Sequence, residues 1–181
     1  MKKTGIFLGF LLILAPLSLS AQETDFYSIK VKTLEGEDFD LSSLKGKKVM
    51  IVNTASKCGF TPQFKDLEEL HEAYGDKLVI LGFPANNFAN QEPLSPGEIR
   101  EFCSANYGVT FRMMEKISVK GDDIHPLYQW LTLKSRNGVL DSEVKWNFQK
   151  YLVDENGKLA DVLLSKEKPA SEKVMSWLGA R

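Results

Sequence analysis

The fold of this chain is decided by residues 49–83, which read VMIVNTASKCGFTPQFKDLEELHEAYGDKLVILGF. Two apolar runs rich in β-branched residues, 49–53 and 78–83, have the composition of strands buried on both faces. Between them, apolar residues recur at helical spacing from 64 to 74, and Gly75 is suited to end a helix. A strand, a helix and a second strand in this order predict two parallel strands joined by a crossover helix.

The rest of the chain continues this mixture of helices and strands. Polar residues at 33–37 indicate a hairpin turn, and the SPGE pattern at 95–98 is a capping box that predicts a helix start. The mixture predicts an α/β sandwich in which helices flank a central mixed sheet. The further predicted elements are helices at 95–106, 125–134 and 171–178 and strands at 114–119, 144–148, 150–154 and 158–164.

A cysteine lies where the first strand meets the crossover helix. Thr61 and Pro62 suit the N-cap and first position of that helix, and Cys58 precedes them. Ligands bind at this edge of open α/β sheets, and a helix N-terminus stabilises a thiolate, the nucleophilic form of cysteine. Lys57 adds a positive charge. Position alone makes Cys58 a candidate nucleophile, while an inert buried cysteine and a structural disulfide stay open.

The composition excludes several classes of function. The chain has 181 residues, of which 43% are hydrophobic and 26% charged, as expected for one globular domain. Its net charge of −1 lacks the basic excess of a protein that binds nucleic acid or anionic membranes. The two histidines, His71 and His125, show no spacing typical of a zinc site, so we expect no metal and no cofactor.

The first residues are typical of a secretory signal peptide. Lys2 and Lys3 precede an almost wholly apolar run at 6–19, which is shorter than the roughly 20 residues that span a bilayer. Small residues follow, and cleavage after Ala21, or after Ser20, is expected. We therefore predict a leader at 1–21 and one mature domain at 22–181, without a stable membrane anchor. The predicted location is periplasmic or extracellular.

Four motifs together resemble the glutathione peroxidase family in its cysteine form. They are NTASKCGFTP at 53–62, LGFPANNFANQEP at 81–93, EFCSANYGVTF at 101–111 and KWNF at 145–148. The resemblance extends over residues 26–178, and the four motifs occur in the order typical of the family. It implies a thioredoxin-like fold.

The resemblance implies a site of four residues: Cys58, Gln91, Trp146 and Asn147. Cys58 would attack the O–O bond of a hydroperoxide and become a sulfenic acid. The two side-chain amides and the indole N–H are neutral donors that would stabilise the charge developing in this step. Taken alone, each of the three donors has an ordinary explanation: Gln91 as a loop amide, Trp146 as a core residue and Asn147 as a turn or strand-edge residue.

The resemblance also gives a role to the second cysteine. Cys103 matches the resolving cysteine of family members that use thioredoxin, and it would condense with the sulfenic acid at Cys58 to form a disulfide. Ala85 stands where many members have another cysteine. The implied reductant is a thioredoxin-like dithiol protein, or glutathione, acting as a co-substrate. The implied substrates are hydrogen peroxide and organic or lipid hydroperoxides, and the absence of the loop found in tetrameric members implies a monomer.

Two other functions remain as alternatives. An exported thiol-disulfide oxidoreductase would share the fold but would usually carry a Cys-x-x-Cys motif, whereas Thr61 occupies the second cysteine position here. A non-catalytic binding module would use Cys58 and Cys103 as a structural disulfide, and the even number of cysteines in an exported chain is compatible with that.

Overall fold

Seven strands and five α-helices make up the part of the chain that the computed structural model describes, residues 24–179. The predicted leader, residues 1–21, lies outside the described residues. The strands are β1 (Val31–Lys32), β2 (Asp38–Phe39), β3 (Lys48–Thr54), β4 (Leu78–Pro84), β5 (Arg112–Met113), β6 (Lys150–Val153) and β7 (Leu159–Leu163). The helices are α1 (Gln63–Tyr74), α2 (Pro96–Tyr107), α3 (Pro126–Thr132), α4 (Lys134–Asn137) and α5 (Glu172–Leu178).

The central sheet is mixed, as predicted. Its strand order is β5-β4-β3-β6-β7, with β3, β4 and β5 parallel and β6 antiparallel to both β3 and β7. The crossover from β3 to β4 runs through α1, which confirms the predicted unit. Asn53 pairs with Phe83 and Thr54 with Pro84, so β3 and β4 end together at one edge of the sheet.

Both faces of the sheet are covered by apolar side chains. Val49 and Ile51 of β3 belong to the core on the face that α3 covers. Met50 and Val52 belong to the core on the other face, against α1, α2 and α5. All four side chains are buried because successive residues of a strand point to opposite faces, which confirms that β3 is buried on both sides.

The strand predicted at 114–119 is wrong, because β5 ends at Met113. Beyond it, the backbone N–H groups alternate between two partners instead of following one ladder. Met114 donates to the Gly82 carbonyl, whereas Glu115 donates to the Lys32 carbonyl in the β1–β2 hairpin. The segment lies in the space between the sheet and the hairpin, and regular pairing with β4 is lost.

The strand predicted at 144–148 is also wrong, and regular structure resumes only with β6. The Asn53 side chain donates to the Trp146 carbonyl over 3.1 Å, and the Phe148 N–H donates to the Asn53 carbonyl. Phe148 has φ of 62°, a left-handed conformation that no strand residue adopts. The end of β3 thus holds this segment in a turn.

The helix predicted at 125–134 is divided into α3 and α4. Leu133 between them is extended, with φ of −109° and ψ of 117°. The N–H of Lys134 donates to the Asp141 carboxylate over 2.8 Å, so a side chain takes the place of a helical acceptor. The other predicted helices and strands are present within one or two residues of their expected bounds.

Candidate active site

The loop that carries Cys58 is held by the Thr61 hydroxyl. This oxygen accepts a hydrogen bond from the Cys58 N–H over 3.0 Å and donates one to the Ala55 carbonyl over 2.9 Å. The prediction that Thr61 is an N-cap is wrong, because α1 begins at Gln63 without a side-chain cap. Pro62 already has helical torsion angles, so the chain turns early and the Thr61 side chain faces back across the loop.

The Cys58 thiol lies just below the surface. Cys58 is 8% exposed, and its sulfur accepts a hydrogen bond from the Phe60 N–H over 3.4 Å. Tight turns follow, in which Thr61 donates to the Cys58 carbonyl and Gln63 to the Phe60 carbonyl. The sulfur is therefore next to the N–H-rich start of α1, as the sequence predicts.

Gln91 and Asn147 meet beside this loop, although 56 positions separate them in the chain. The Asn147 amide nitrogen donates to the Gln91 side-chain oxygen over 3.0 Å. The Gln91 carbonyl accepts a hydrogen bond from the Lys57 N–H over 2.9 Å, which ties both amides to the neighbour of Cys58. Asn147 is fully buried, and its Oδ1 atom has no partner within residues 24–179.

Trp146 lies at the surface of the site and is not a core residue. Its side chain is 37% exposed and packs against Phe88, with the ring centroids 5.4 Å apart. The Asn53 side chain donates a hydrogen bond to the backbone carbonyl of Trp146. Asn53 and Phe88 were not predicted as site residues from the sequence. Their positions, at the end of a buried strand and within the second motif, are the only signals the sequence offers for them.

Cys103 lies on α2 as expected, and both cysteines are free thiols. It is 2% exposed and belongs to the same apolar core as Cys58. Burial, followed by the negative charge of Glu92, raises the pKa of Cys103 to about 12. Cys103 is therefore protonated at neutral pH.

Glu92 is a buried acid next to the cysteine loop, and it was not predicted as a site residue from the sequence. It is 1% exposed and accepts a hydrogen bond from the Ser56 hydroxyl over 2.8 Å. Burial raises its pKa above the usual value for glutamate, while the Ser56 hydrogen bond and the charge of Lys116 act in the opposite direction. The Gln-Glu-Pro motif contains this residue but gives no sign of its burial.

Other features of the described residues lie away from this site. A cavity of about 460 Å³ is lined by Gly75 at the end of α1 and Leu78 at the start of β4, at the opposite edge of the sheet from Cys58. Within residues 24–179, no three His, Cys, Asp or Glu side chains form a group able to hold a metal ion. None of the helices in this range is long and apolar enough to cross a bilayer.

The chain is similar in sequence and in structure to known proteins, and these similarities agree with one another. Residues 26–132 match the family model described as glutathione peroxidase. The glutathione peroxidase-like peroxiredoxin 2 of Saccharomyces cerevisiae is 51% identical over 149 residues, which cover 82% of this chain and 92% of the yeast protein. The protein in the crystal structure of Trgpx in apo form is 40% identical in sequence. The two structures match with a TM-score of 0.66, and the match covers 86% of this chain and 97% of that one.

A more distant likeness concerns the fold alone. A thioredoxin-family thiol:disulfide interchange protein from Chlorobium tepidum is 16% identical with a TM-score of 0.58, and the match covers 87% of this chain and 94% of that one. Together with the mixed sheet, this likeness confirms the thioredoxin-like fold that the motifs imply.

We predict that Thr61→Val destabilises the protein by about 2–4 kcal/mol, because it leaves a buried N–H and a buried carbonyl without partners. Urea unfolding, followed by tryptophan fluorescence, measures this change. Thr61→Ser keeps the hydroxyl and is the matched control, with an expected loss below about 1 kcal/mol. Equal stability of the two variants would contradict the role assigned to the hydroxyl.

Proposed function

The chain belongs to the glutathione peroxidase family, and on this premise we propose that Cys58 is the residue that hydroperoxides oxidise. As a member of that family, the protein is a thiol-dependent peroxidase, an oxidoreductase that acts on peroxides. The observation that carries the assignment of Cys58 is the hydrogen-bonded pair of Gln91 and Asn147, which is tied to the cysteine loop through Lys57. A pair of amides next to the cysteine loop, one fully buried and one half-buried, is suited to charge stabilisation.

In the first step, the Cys58 sulfur attacks one oxygen of the hydroperoxide. The O–O bond breaks, an S–O bond forms, and the other oxygen leaves with the electron pair and takes up a proton, so that the products are a sulfenic acid and an alcohol or water. Gln91, Asn147 and the Trp146 indole supply neutral N–H donors to the charge that develops.

In the second step, Cys103 reduces the sulfenic acid. Its sulfur forms a disulfide with Cys58, and the sulfenic oxygen leaves as water. Cys103 is the only other cysteine in the chain, because Ala85 occupies the further position that many family members use. A disulfide is the natural substrate of a dithiol, so we assign a thioredoxin-like protein as the reductant, with glutathione as the second candidate.

The proposed substrates include hydroperoxides larger than hydrogen peroxide. Trp146 and Phe88 form an apolar edge at the surface of the site, with Trp146 more than one-third exposed. An apolar edge of this kind suits the hydrocarbon part of an organic or lipid hydroperoxide. A role in the response to oxidative stress follows from this chemistry.

We predict that reduced protein mixed with a slight excess of hydrogen peroxide loses two thiols and two hydrogen atoms in a fast single turnover. Cys103→Ser should stop at the sulfenic acid, because its resolving thiol is absent, and Cys58→Ser should not react. Free-thiol titration and intact mass measure both products. If Cys58→Ser reacts as fast as the wild type, or if the wild-type thiols survive, the structural-disulfide or binding function takes the place of the peroxidase.

We also predict that Asn147→Asp slows Cys58 oxidation by about a hundredfold, because a donor is lost and a carboxylate repels the developing negative charge. Stopped-flow fluorescence, with hydrogen peroxide in excess, gives the rate constant. Asn90→Asp makes the same chemical change at an exposed position one residue before Gln91, where Asp also tolerates the left-handed φ of 53°. Equal rates in the two variants would remove Asn147 from the site.

We propose that the protein is exported and acts as a monomer outside the cytoplasm. The basis is the leader pattern at 1–21 together with the short connection of four residues between α2 and β5. Full-length chain expressed in a bacterial host should be recovered from the periplasm or medium with Gln22, or Ala21, as its first residue, and it should sediment as one chain. An intact mass that retains Met1 to Ser20 would contradict export by this route.

A further inference from the structure

Lys150, the first residue of β6, has a fully buried side chain. Within residues 24–179 no carboxylate forms an ion pair with its ammonium group. Three neutral oxygens accept its hydrogen bonds instead: Gln63 Oε1, the Glu167 carbonyl at 2.6 Å and, more distantly, the Ser165 carbonyl at 3.5 Å. These acceptors match the three N–H donors of an ammonium group. A charge buried among neutral groups is costly, and such groups are concentrated at functional sites.

The ammonium group of Lys150 joins three segments at the edge of the sheet that carries the cysteine loop. Lys150 pairs with Val52 near the end of β3 and with Leu163 at the end of β7. Gln63 is the first residue of α1, and Ser165 lies in the loop that follows β7. The Gln63 side chain also donates to the Ser165 carbonyl over 2.6 Å, so the start of α1 and this loop are connected twice.

The backbone of Gln63 continues the connection to the sulfur of Cys58. Its N–H donates to the Phe60 carbonyl over 2.9 Å, and the Phe60 N–H donates to the Cys58 sulfur over 3.4 Å. Gln63 therefore contacts Lys150 with its side chain and holds the turn beside the sulfur with its backbone. A hydrogen bond from an N–H to sulfur favours negative charge on the sulfur, so the orientation of this turn bears on the reactivity of Cys58.

We propose that Lys150 is a positioning residue for peroxide reduction. Its ammonium group holds Gln63 at the start of α1, and Gln63 fixes the turn that directs the Phe60 N–H at the Cys58 sulfur. Lys150 acts through Gln63 and not by contact with the reacting atoms. This inference rests on the proposed function, since it concerns the first step of the same cycle.

The strength of this connection depends on the protonation of Lys150. Burial lowers the pKa of Lys150 to about 8, whereas the negative charges of Glu167 and Asp66 on α1 act in the opposite direction. Lys166 and Lys168 flank Glu167 and are exposed, and β3 and β7 present apolar residues opposite Lys150. The ammonium form has three N–H donors for its three acceptors, and the neutral amine has two. The contribution of Lys150 should therefore be full at neutral pH and should shrink as pH rises through about 8.

The test measures Cys58 oxidation in the full mature chain. Reduced protein is mixed with excess hydrogen peroxide, and stopped-flow fluorescence gives the rate constant. Lys150→Met should slow the reaction by about tenfold at neutral pH, because a displaced turn no longer directs its N–H at the sulfur. Lys158→Met makes the same change at an exposed position between β6 and β7, and its rate should stay within about twofold of the wild-type rate.

Two further results separate positioning from a general loss of stability. The ratio of the wild-type rate to the Lys150→Met rate should shrink as pH rises through about 8, since the titration of Cys58 itself is common to both proteins. The double variant Lys150→Met/Gln63→Met should be no slower than the slower single variant, because both changes break the same connection. A loss of stability alone would lower the fraction of protein that reacts and would give neither result.

Gln63 is half-buried, so Gln63→Met decides the matter if circular dichroism shows that Lys150→Met is unfolded. This variant should slow oxidation by about the same factor as Lys150→Met. Equal rates in Lys150→Met and Lys158→Met, a wild-type rate in Gln63→Met, a ratio that does not change with pH, or additive effects in the double variant would overturn the role of Lys150 alone. Failure of Cys58 to oxidise in the wild type would overturn the proposed function and this inference with it.

Discussion

The hydrogen bonding between the parallel strands β3 and β4 is the constraint on which the site depends. Their register ends both strands at the same edge, so the loop with Cys58 and the loop with Gln91 leave the sheet side by side. Because β6 runs antiparallel to β3, the turn that precedes β6 and carries Asn147 reaches the same edge. Three segments that are distant in sequence therefore meet because of strand direction, and the backbone bond from Lys57 to Gln91 and the amide bond from Asn147 to Gln91 complete the contact.

The strand–helix–strand unit could be predicted because a single run of residues determines it. Its apolar strands, helical spacing and Gly75 are all local signals, and they place Cys58 at the correct edge of the sheet. The turn around Phe148 could not be predicted, because residues 144–148 have a strand-like composition and a side chain 93 positions earlier, that of Asn53, supplies the competing hydrogen bond. The role of Thr61 was mistaken for the same kind of reason: a threonine before Pro62 is typical of an N-cap, but tertiary contacts with Cys58 and Ala55 use its hydroxyl instead.

The two cysteines are unequal, and burial is the cause. Cys58 lies near the surface with an N–H group directed at its sulfur, whereas Cys103 lies deeper and the nearby charge of Glu92 opposes its ionisation. Oxidation of cysteine follows thiolate character and exposure, so this difference is consistent with the proposed roles, in which peroxide attacks Cys58 and Cys103 stays a thiol until the second step.

Phe148 links the hydrophobic core to the site, because its ring packs in the core and it directly follows Asn147 in the chain. Its left-handed backbone would suit glycine, yet its ring is fully buried and meets the Phe64 ring of α1 edge-on, with the centroids 5.2 Å apart. Burial of a phenylalanine stabilises a fold by about 1.5–3 kcal/mol, comparable to the cost of the unfavourable backbone. Replacing Phe148 with glycine would remove the unfavourable backbone conformation. It would also remove the buried ring that fixes the position of the neighbouring Asn147. At this position, an unfavourable backbone conformation and a buried ring that resists replacement occur in the same residue.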